Sequence, residues 1–266
     1  MTHDRALLLQ RTPYGESSLV AVVLAPSHGR VRVLAKGAYR PTSRYFGVLD
    51  AFHTLELDWR PAKDDGLALL VGGDWLVRRP GVPRSGAAYR AAWSVLETAR
   101  LVARDGTPER TLFAECERAL DALDEAAQRA DERAARLTRV AFDLRALHNL
   151  GLAPALAHCA ACGRPAPVPA DPATARGAAL FAPTLGGRLC RACAAAEEAR
   201  RVEGVPERVL LGARALLTGS AADTDWTREQ VHLLERCIDR FTDHHLDGVR
   251  RTLARPARGS TTEQPA

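Results

Sequence analysis

Long apolar runs are missing from this chain. No uninterrupted stretch approaches the roughly 18–20 residues that cross a bilayer, and no apolar segment follows a basic start as in a signal peptide. The expectation is a cytoplasmic protein without a membrane role, and in a reducing compartment its six cysteines are poor candidates for structural disulfides. Aromatics make up only 5% of the residues, so the cores rest on Leu, Val and Ala. Lysine is nearly absent: of 37 basic residues only Lys36 and Lys63 are lysine, and a lysine kept in an arginine-biased chain suggests a compact point charge is wanted there. Catalytic signatures are missing too. There is no Gly-x-x-x-x-Gly-Lys-Ser/Thr, no His-Glu-x-x-His and no Gly-x-Ser-x-Gly, and no nucleophile, base and orienter can be assembled, so a binding protein is expected rather than an enzyme.

What is present describes a globular protein. At 266 residues, 46% of them apolar, the chain has length and composition for one large domain or two to three small ones. A net charge of +5 permits a polyanionic partner without demanding one, so the distribution of charge matters more than its sum. Acid-free basic clusters occur at Arg30–Arg44 and Arg250–Arg258, while Glu115–Glu132 is mainly acidic.

The stretch His28–Phe46 organises the N-terminal part. Val31, Val33 and Ala35 alternate with Arg30, Arg32 and Leu34, the period-2 pattern of a half-buried strand. From Lys36 the alternation stops. Gly37 and Pro41 break it, Lys36, Arg40 and Arg44 recur every fourth residue beside Tyr39, Tyr45 and Phe46, and no acid occurs from His28 to Leu49. Such a loop suits nucleic acid, with cations on phosphates and tyrosine faces under unpaired bases. A solvated loop that only maintains solubility is the alternative on composition.

Further strands are expected at Ala6–Gln10, Ser18–Ala25, Val48–Trp59 and Leu67–Leu76, with turn chemistry at Pro13-Tyr14-Gly15. Five short strands with no room for crossover helices must pair mainly antiparallel and close on themselves. A five-stranded oligonucleotide-binding (OB) barrel is the economical solution and an SH3-like barrel the alternative. The texture then turns helical. Ser85 opens a helix to about Ala103 with Tyr89, Trp93 and Leu96 on its apolar face. Thr107-Pro108-Glu109 opens a second, with Leu112, Phe113, Cys116 and Leu120 inward, and a third spans about Asp131–Leu150. Beyond these, Glu207–Leu217 is helical, and Thr227-Arg-Glu-Gln230 reads as the capping box of a long helix with Val231, Leu234, Ile238 and Phe241 inward. His244 and His245 read as exposed, and Cys116 and Cys237 as packing. The class is therefore α+β: a barrel over residues 1–80, a helical domain over 81–254 with an insertion at 155–195, and a disordered tail at 255–266.

That insertion carries Cys159-Ala-Ala-Cys162 and Cys190-Arg-Ala-Cys193, two Cys-x-x-Cys knuckles in proline- and glycine-rich chain. Two knuckles complete a tetrahedron around one Zn2+, and four thiolates leave no open position, which argues for a structural ion. Two redox dithiols are the alternative, and His158 reads as flanking the site. A hairpin is expected over Ala178–Leu189, and Arg164, Arg176, Arg188 and Arg191 keep nucleic-acid contact open for the segment.

Three motifs carry a resemblance: Leu8-Leu-Gln-Arg-Thr-Pro-Tyr-Gly-Glu-Ser17, His28-Gly-Arg-Val31 and Ala35-Lys-Gly-Ala-Tyr-Arg-Pro-Thr-Ser-Arg44, followed by the paired knuckles after a three-helix stretch. From about Ala6 to Leu253 the chain resembles the RecO family of bacterial recombination mediators. The resemblance implies DNA repair and recombination: binding of single- and double-stranded DNA, strand annealing and, with RecR, loading of RecA onto strands coated by single-stranded-DNA-binding protein, whose acidic C-terminal tail would dock on the helical domain near Arg133, Arg136 and Arg139. It implies a nucleoid-associated place in the cytoplasm. Arg30, Arg32, Lys36, Tyr39, Arg40 and Arg44 are the expected DNA-binding residues, and Cys159, Cys162, Cys190 and Cys193 the expected ligands of one Zn2+. The competing reading is a zinc-ribbon RNA-binding or transcription-associated module.

Overall fold

The computed structural model describes residues 1–43, 45–62, 66–165, 177–197, 201–219 and 225–254. Five strands come first: β1 (Thr2–Tyr14), β2 (Ser18–Ala25), β3 (Gly29–Ala35), β4 (Thr54–Arg60) and β5 (Ala68–Val77). They close in the order β1-β2-β3-β5-β4, antiparallel except where Val33 and Leu34 of β3 meet Ala68 and Leu69 of β5 in parallel. This is the OB-type barrel. β1 is longer than its apolar run suggests, because Thr2–Leu7 pairs with β4 and Leu7–Tyr14 with β2. Val48–Phe52 is not strand: a short helix, α1 (Tyr45–Val48), covers the barrel end, held by Tyr45 Oη on the Val71 carbonyl (2.9 Å) and Trp75 Nε1 on the Val48 carbonyl (3.0 Å).

Alternation along β1 and β2 serves two cores. Ala6, Leu8, Leu19, Ala21 and Val23 fill the barrel, while Leu7, Leu9 and Leu24 point outward into the helical core. The helices are α2 (Gly86–Val102), α3 (Arg110–Gln128) and α4 (Glu132–Asn149), then the long α-helical elements after the cysteine segment. Ser85 caps α2 through the Ala88 amide (3.3 Å) and Asp131 caps α4 through the Ala134 amide (2.9 Å). Thr107 caps nothing: α3 starts at Arg110, and Glu109 turns its carboxylate to Arg104 (2.7 Å) instead. Leu112, Phe113, Cys116, Leu120 and Leu123 face inward as the periodicity requires, whereas Tyr89 and Trp93 of α2 are exposed.

α4 is the central helix. Ala135, Phe142 and Ala146 pack toward α2 and α3, and Val140, Ala141 and Leu144 pack toward the C-terminal part. There the chain forms a three-stranded sheet of β6 (Ala178–Ala182), β7 (Gly187–Leu189) and β8 (Glu203–Pro206) with a short helix, α5 (Arg191–Ala195), followed by α6 (Glu207–Thr218) and α7 (Arg228–Ala254). The capping box forms reciprocally: the Thr227 amide donates to Gln230 Oε1 (3.0 Å) and the Gln230 amide to Thr227 Oγ1 (3.3 Å). His244 is exposed, but His245 is half-buried, stacked on Phe241 and hydrogen-bonded to the Pro183 carbonyl (3.2 Å). Cys116 and Cys237 are core thiols; burial pushes both up, Cys237 to about 11, which keeps them protonated. No helix among the described residues is long and apolar enough to cross a membrane. The segment 255–266 lies outside the described residues.

Candidate nucleic-acid interface and metal centre

The two halves of the molecule meet at the turn His28-Gly29-Arg30. Gly29 has φ +66, and a Cβ there would sit 2.2 Å from the Thr107 carbonyl oxygen and 2.4 Å from that of Arg104, so no other residue fits this close approach. The Arg30 amide donates to the Arg104 carbonyl (2.9 Å). Its guanidinium forks onto Asp105 (2.6 and 3.2 Å) and the Arg100 carbonyl (2.7 Å), with only 15% of the side chain exposed. Arg30 is thus committed to the seam between barrel and helices.

One row farther along β3, the environment changes. Arg32, paired across the sheet with Val22, is exposed, and so are Lys36, Tyr39 and Arg40 in the loop that follows. Two backbone bonds pin that loop to the β1–β2 turn: the Tyr39 amide to the Ser17 carbonyl (2.9 Å) and the Gly37 amide to Ser18 Oγ (3.2 Å). The pinning brings a second exposed ring, Tyr14 at the end of β1, to the neighbouring turn. Tyr14 stands in the Pro-Tyr-Gly turn signal; only the β1–β2 register shows that it shares this rim. Arg44 lies outside the described residues. The structure therefore leaves Arg32 exposed on β3 and Lys36, Tyr39 and Arg40 exposed in the loop that follows it, and separates Arg30 from them.

The four knuckle cysteines come together. Their sulfurs all lie within 4.8 Å of one another, with Cys162 and Cys190 at 3.9 Å. A tetrahedron with Zn–S bonds of about 2.3 Å has edges of about 3.8 Å, whereas a disulfide would need about 2.05 Å, so the donor set fits Zn2+. The first knuckle is a turn closed by the Gly163 amide on the Cys159 carbonyl (2.9 Å), and the second opens α5, with the Ala194 amide on the Cys190 carbonyl (2.9 Å). Burial pushes the Cys159 thiol up, but the Cys190, Cys162 and Ala161 amides aimed at it prevail and bring it down to about 6. The Cys193 thiol is pushed up to about 12 because it donates its proton to the Cys190, Cys162 and Cys159 sulfurs.

The surrounding framework is built around this centre. β7 is anchored by the Arg188 amide on the Ala155 carbonyl and the Ala155 amide on the Gly186 carbonyl (both 2.9 Å). Gly187, at φ +126, permits this: a Cβ would lie 2.6 Å from the Ala155 oxygen. Arg188 is buried and paired with Glu207 of α6, so it braces the segment and is not available to nucleic acid. The third strand, β8, follows the second knuckle and pairs with β6 at Ala178–Phe181.

Of the three arginines on α4, Arg139 is buried against Asp143 (2.9 Å), Asp239 (2.5 Å) and Glu235 (3.6 Å). Arg136 bonds Glu235 (2.7 Å), and Arg133 donates to the Trp226 carbonyl (2.8 Å). Arg133 and Arg136 also line a cavity of about 230 Å3 with Arg228, Val231 and His232, between α4 and the start of α7.

Residues 1–77 match the family model Recombination protein O N terminal, and residues 84–254 match Recombination protein O C terminal. The chain belongs to the RecO family. It is similar to the DNA repair protein RecO of Myxococcus xanthus, 30% identical over 249 residues that cover 91% of each chain. It is also similar to the RecO of Anaeromyxobacter dehalogenans, 32% identical over 257 residues covering 91% and 92%. A shorter alignment, 31% identical, covers 71% of this chain and 65% of the Rhodopirellula baltica RecO. A RecO-family DNA repair protein with an OB-type barrel and a four-cysteine cluster is what the architecture and the relatives together describe.

Proposed function

We propose that this RecO-family chain is a recombination mediator that binds single- and double-stranded DNA at β3 and the basic loop after it and anneals complementary strands. With RecR it would help load RecA onto strands coated by single-stranded-DNA-binding protein. The observation that carries the reading is the run of exposed Arg32 on β3 and exposed Lys36, Tyr39 and Arg40 on the loop after it, a loop pinned to Ser17 and Ser18 at the β1–β2 turn where Tyr14 is also exposed. Cations there hold phosphates without reading sequence, and no covalent step is needed, so the action is binding rather than catalysis. Arg44 is proposed to extend the same surface. Arg30 is left out of it, because its guanidinium already has Asp105.

Zn2+, one per chain, is proposed to sit among Cys159, Cys162, Cys190 and Cys193 as a structural ion. The acidic tail of the single-stranded-DNA-binding protein is proposed to enter the groove of Arg133, Arg136, Arg228 and Val231, where three guanidinium groups outnumber the one acid, Glu132, beside an apolar side chain. A nucleoid-associated location follows from the proposed partners.

The test is fluorescence anisotropy with a mixed-sequence single strand across a salt series, comparing the wild type with Lys36→Glu/Arg40→Glu/Arg44→Glu. Binding should fall linearly with log salt, by about 0.7 log units per phosphate contact on a single strand, and the variant should lose affinity and slope together. A variant that binds like the wild type refutes the rim as the DNA site. Equal affinity for structured RNA would favour an RNA-binding module instead.

A further inference from the structure

Two rings that helical periodicity assigns to the core stand in solvent. Tyr89 and Trp93, on successive turns of α2, are 43% and 38% exposed. They are not loosely held. Phe52 meets both edge to face, with centroids 5.4 Å from Tyr89 and 5.2 Å from Trp93, and the two exposed rings are 6.3 Å apart. Phe52 itself is 4% exposed and has φ +73, a left-handed backbone that a bulky residue rarely adopts. Its carbonyl accepts from Nη1 of Arg79 (3.0 Å), a guanidinium that is 2% exposed. A buried cation and a strained residue thus fix one ring beneath two that are left uncovered.

Core packing accounts for Phe52. It does not account for two large rings kept rigid yet open, and their surroundings indicate what they meet. α2 starts beside Phe52 and ends near Arg30, which donates to the Arg100 carbonyl (2.7 Å), so the helix runs along the outside of the barrel from the segment before β4 to the start of β3. Trp93 and Arg100 are about 10 Å apart along its axis. Next to Arg30 on β3, one row out, is exposed Arg32, followed by the Lys36 loop. At the aromatic end, the exposed Arg11 bonds the Leu49 carbonyl (3.2 Å), three residues from Phe52. Rigid aromatic faces flanked by guanidinium groups suit stacked bases on a phosphate backbone, and basic flanks do not suit an uncharged or basic partner.

We propose that Tyr89 and Trp93 form a base-stacking platform that continues the single-strand path from the barrel rim onto the helical domain. The proposal rests on the DNA-binding reading above and adds a site that discriminates strandedness, because only unpaired bases can stack there.

The experiment titrates an oligo-dT and a mixed-sequence duplex of equal length into the wild type, Tyr89→Ala, Trp93→Ala, Trp93→Phe and Lys36→Glu/Arg40→Glu, across one salt series. Each alanine variant should weaken oligo-dT binding about tenfold, the lower part of the range for a lost stack, with the salt slope unchanged and duplex affinity within about twofold. Trp93→Phe should retain most of the affinity but lose the larger part of the quenching of tryptophan emission by oligo-dT, since Trp59 and Trp226 are buried and Trp75 is half-buried under the Arg78 guanidinium. Alanine variants that bind oligo-dT like the wild type overturn the platform, as does wild-type emission that oligo-dT leaves unchanged. Equal losses on single strand and duplex overturn it too, and so does unchanged oligo-dT affinity with altered self-association, which would make the patch a protein contact. If the rim variant is also silent, the DNA-binding reading fails with it; if the rim variant loses affinity and slope, only the platform fails.

Discussion

Replacing Arg79 by methionine should be among the most costly single changes in the barrel. Its backbone amide donates to His53 Nδ1 (3.0 Å), Nη1 donates to the Phe52 carbonyl (3.0 Å) and Thr54 Oγ1 (3.1 Å), and Nε donates to Asp121 (2.7 Å). Methionine keeps most of the aliphatic volume, so the cost is electrostatic. Two charge-assisted bonds to neutral acceptors go, and the Phe52 carbonyl loses its donor, for about 3–4 kcal/mol in all. The Asp121 contact adds little, because that carboxylate is 54% exposed and returns to water. Arg79→Met should therefore lower stability by about 3–4 kcal/mol in urea unfolding, and Asp121→Ala by no more than about 1 kcal/mol. Relaxation of Phe52 out of its strained backbone would return part of the cost, roughly 1 kcal/mol. The reasoning is refuted if Arg79→Met costs under about 1 kcal/mol, or if Asp121→Ala matches it. Burial, aided by the nearby Arg79 and Arg78 charges, lowers the His53 pKa, in keeping with a neutral ring whose Nδ1 accepts.

Two further outcomes follow from the cysteine cluster and from a buried carboxylate. Chelation, or Cys162→Ser, should release one Zn2+ per chain, measurable with a colorimetric chelator, and expose the knuckles to protease. Among the described residues the cluster beneath them has only Cys159, Ala182 and Leu189 fully buried, while DNA affinity at the barrel should stay within about twofold. Asp143 is 2% exposed, and burial raises its pKa to about 6 despite Arg139 and Thr98, because Arg139 is shared with Asp239 and Glu235. A folded-state pKa above the unfolded value contributes stability that is full below about pH 4 and lost as pH rises through about 6, by roughly 3 kcal/mol. Urea unfolding between pH 4 and 7.5 should show that loss in the wild type and not in Asp143→Asn; parallel pH profiles would refute it.

Local chemistry made much of this fold legible. The strand of Val31, Val33 and Ala35, the cap at Ser85, the Thr227–Gln230 box and the paired knuckles each announce themselves within a few residues. What stayed hidden depends on distant partners. Arg30 looks like its neighbour Arg32 until Asp105, 75 residues away, takes its guanidinium. Arg188 and Arg139 read as free cations until Glu207 and Asp239 pair with them. Tyr89 and Trp93 continue the α2 stripe, but a stripe gives the direction of a core and not where the neighbouring element stops. β8 is four residues long and lies beyond an unlike segment, so no pattern within it reveals a third strand.

The split between Arg30 and Arg32 also bears on how a mediator would handle two substrates. Leu7, Leu9 and Leu24 share one core with α2 and α3, and the Arg30–Asp105 and Arg5–Glu117 pairs bridge the same junction. Such a continuous apolar contact gives the barrel no hinge at the seam, unlike domains joined by a small wet interface. α4 then carries rigidity onward, because it packs on α2 and α3 with one face and on α6 and α7 with the other. On the proposed function, DNA at the barrel rim and the protein tail in the α4–α7 groove are held at a fixed separation. Displacing the tail's parent protein would then leave its freed strand at high local concentration beside the rim, a gain from geometry that needs no conformational change. Loosening the seam with Gly29→Ala, whose Cβ would fall 2.2 Å from the Thr107 and 2.4 Å from the Arg104 carbonyl oxygen, should consequently weaken annealing on coated strands more than on bare ones.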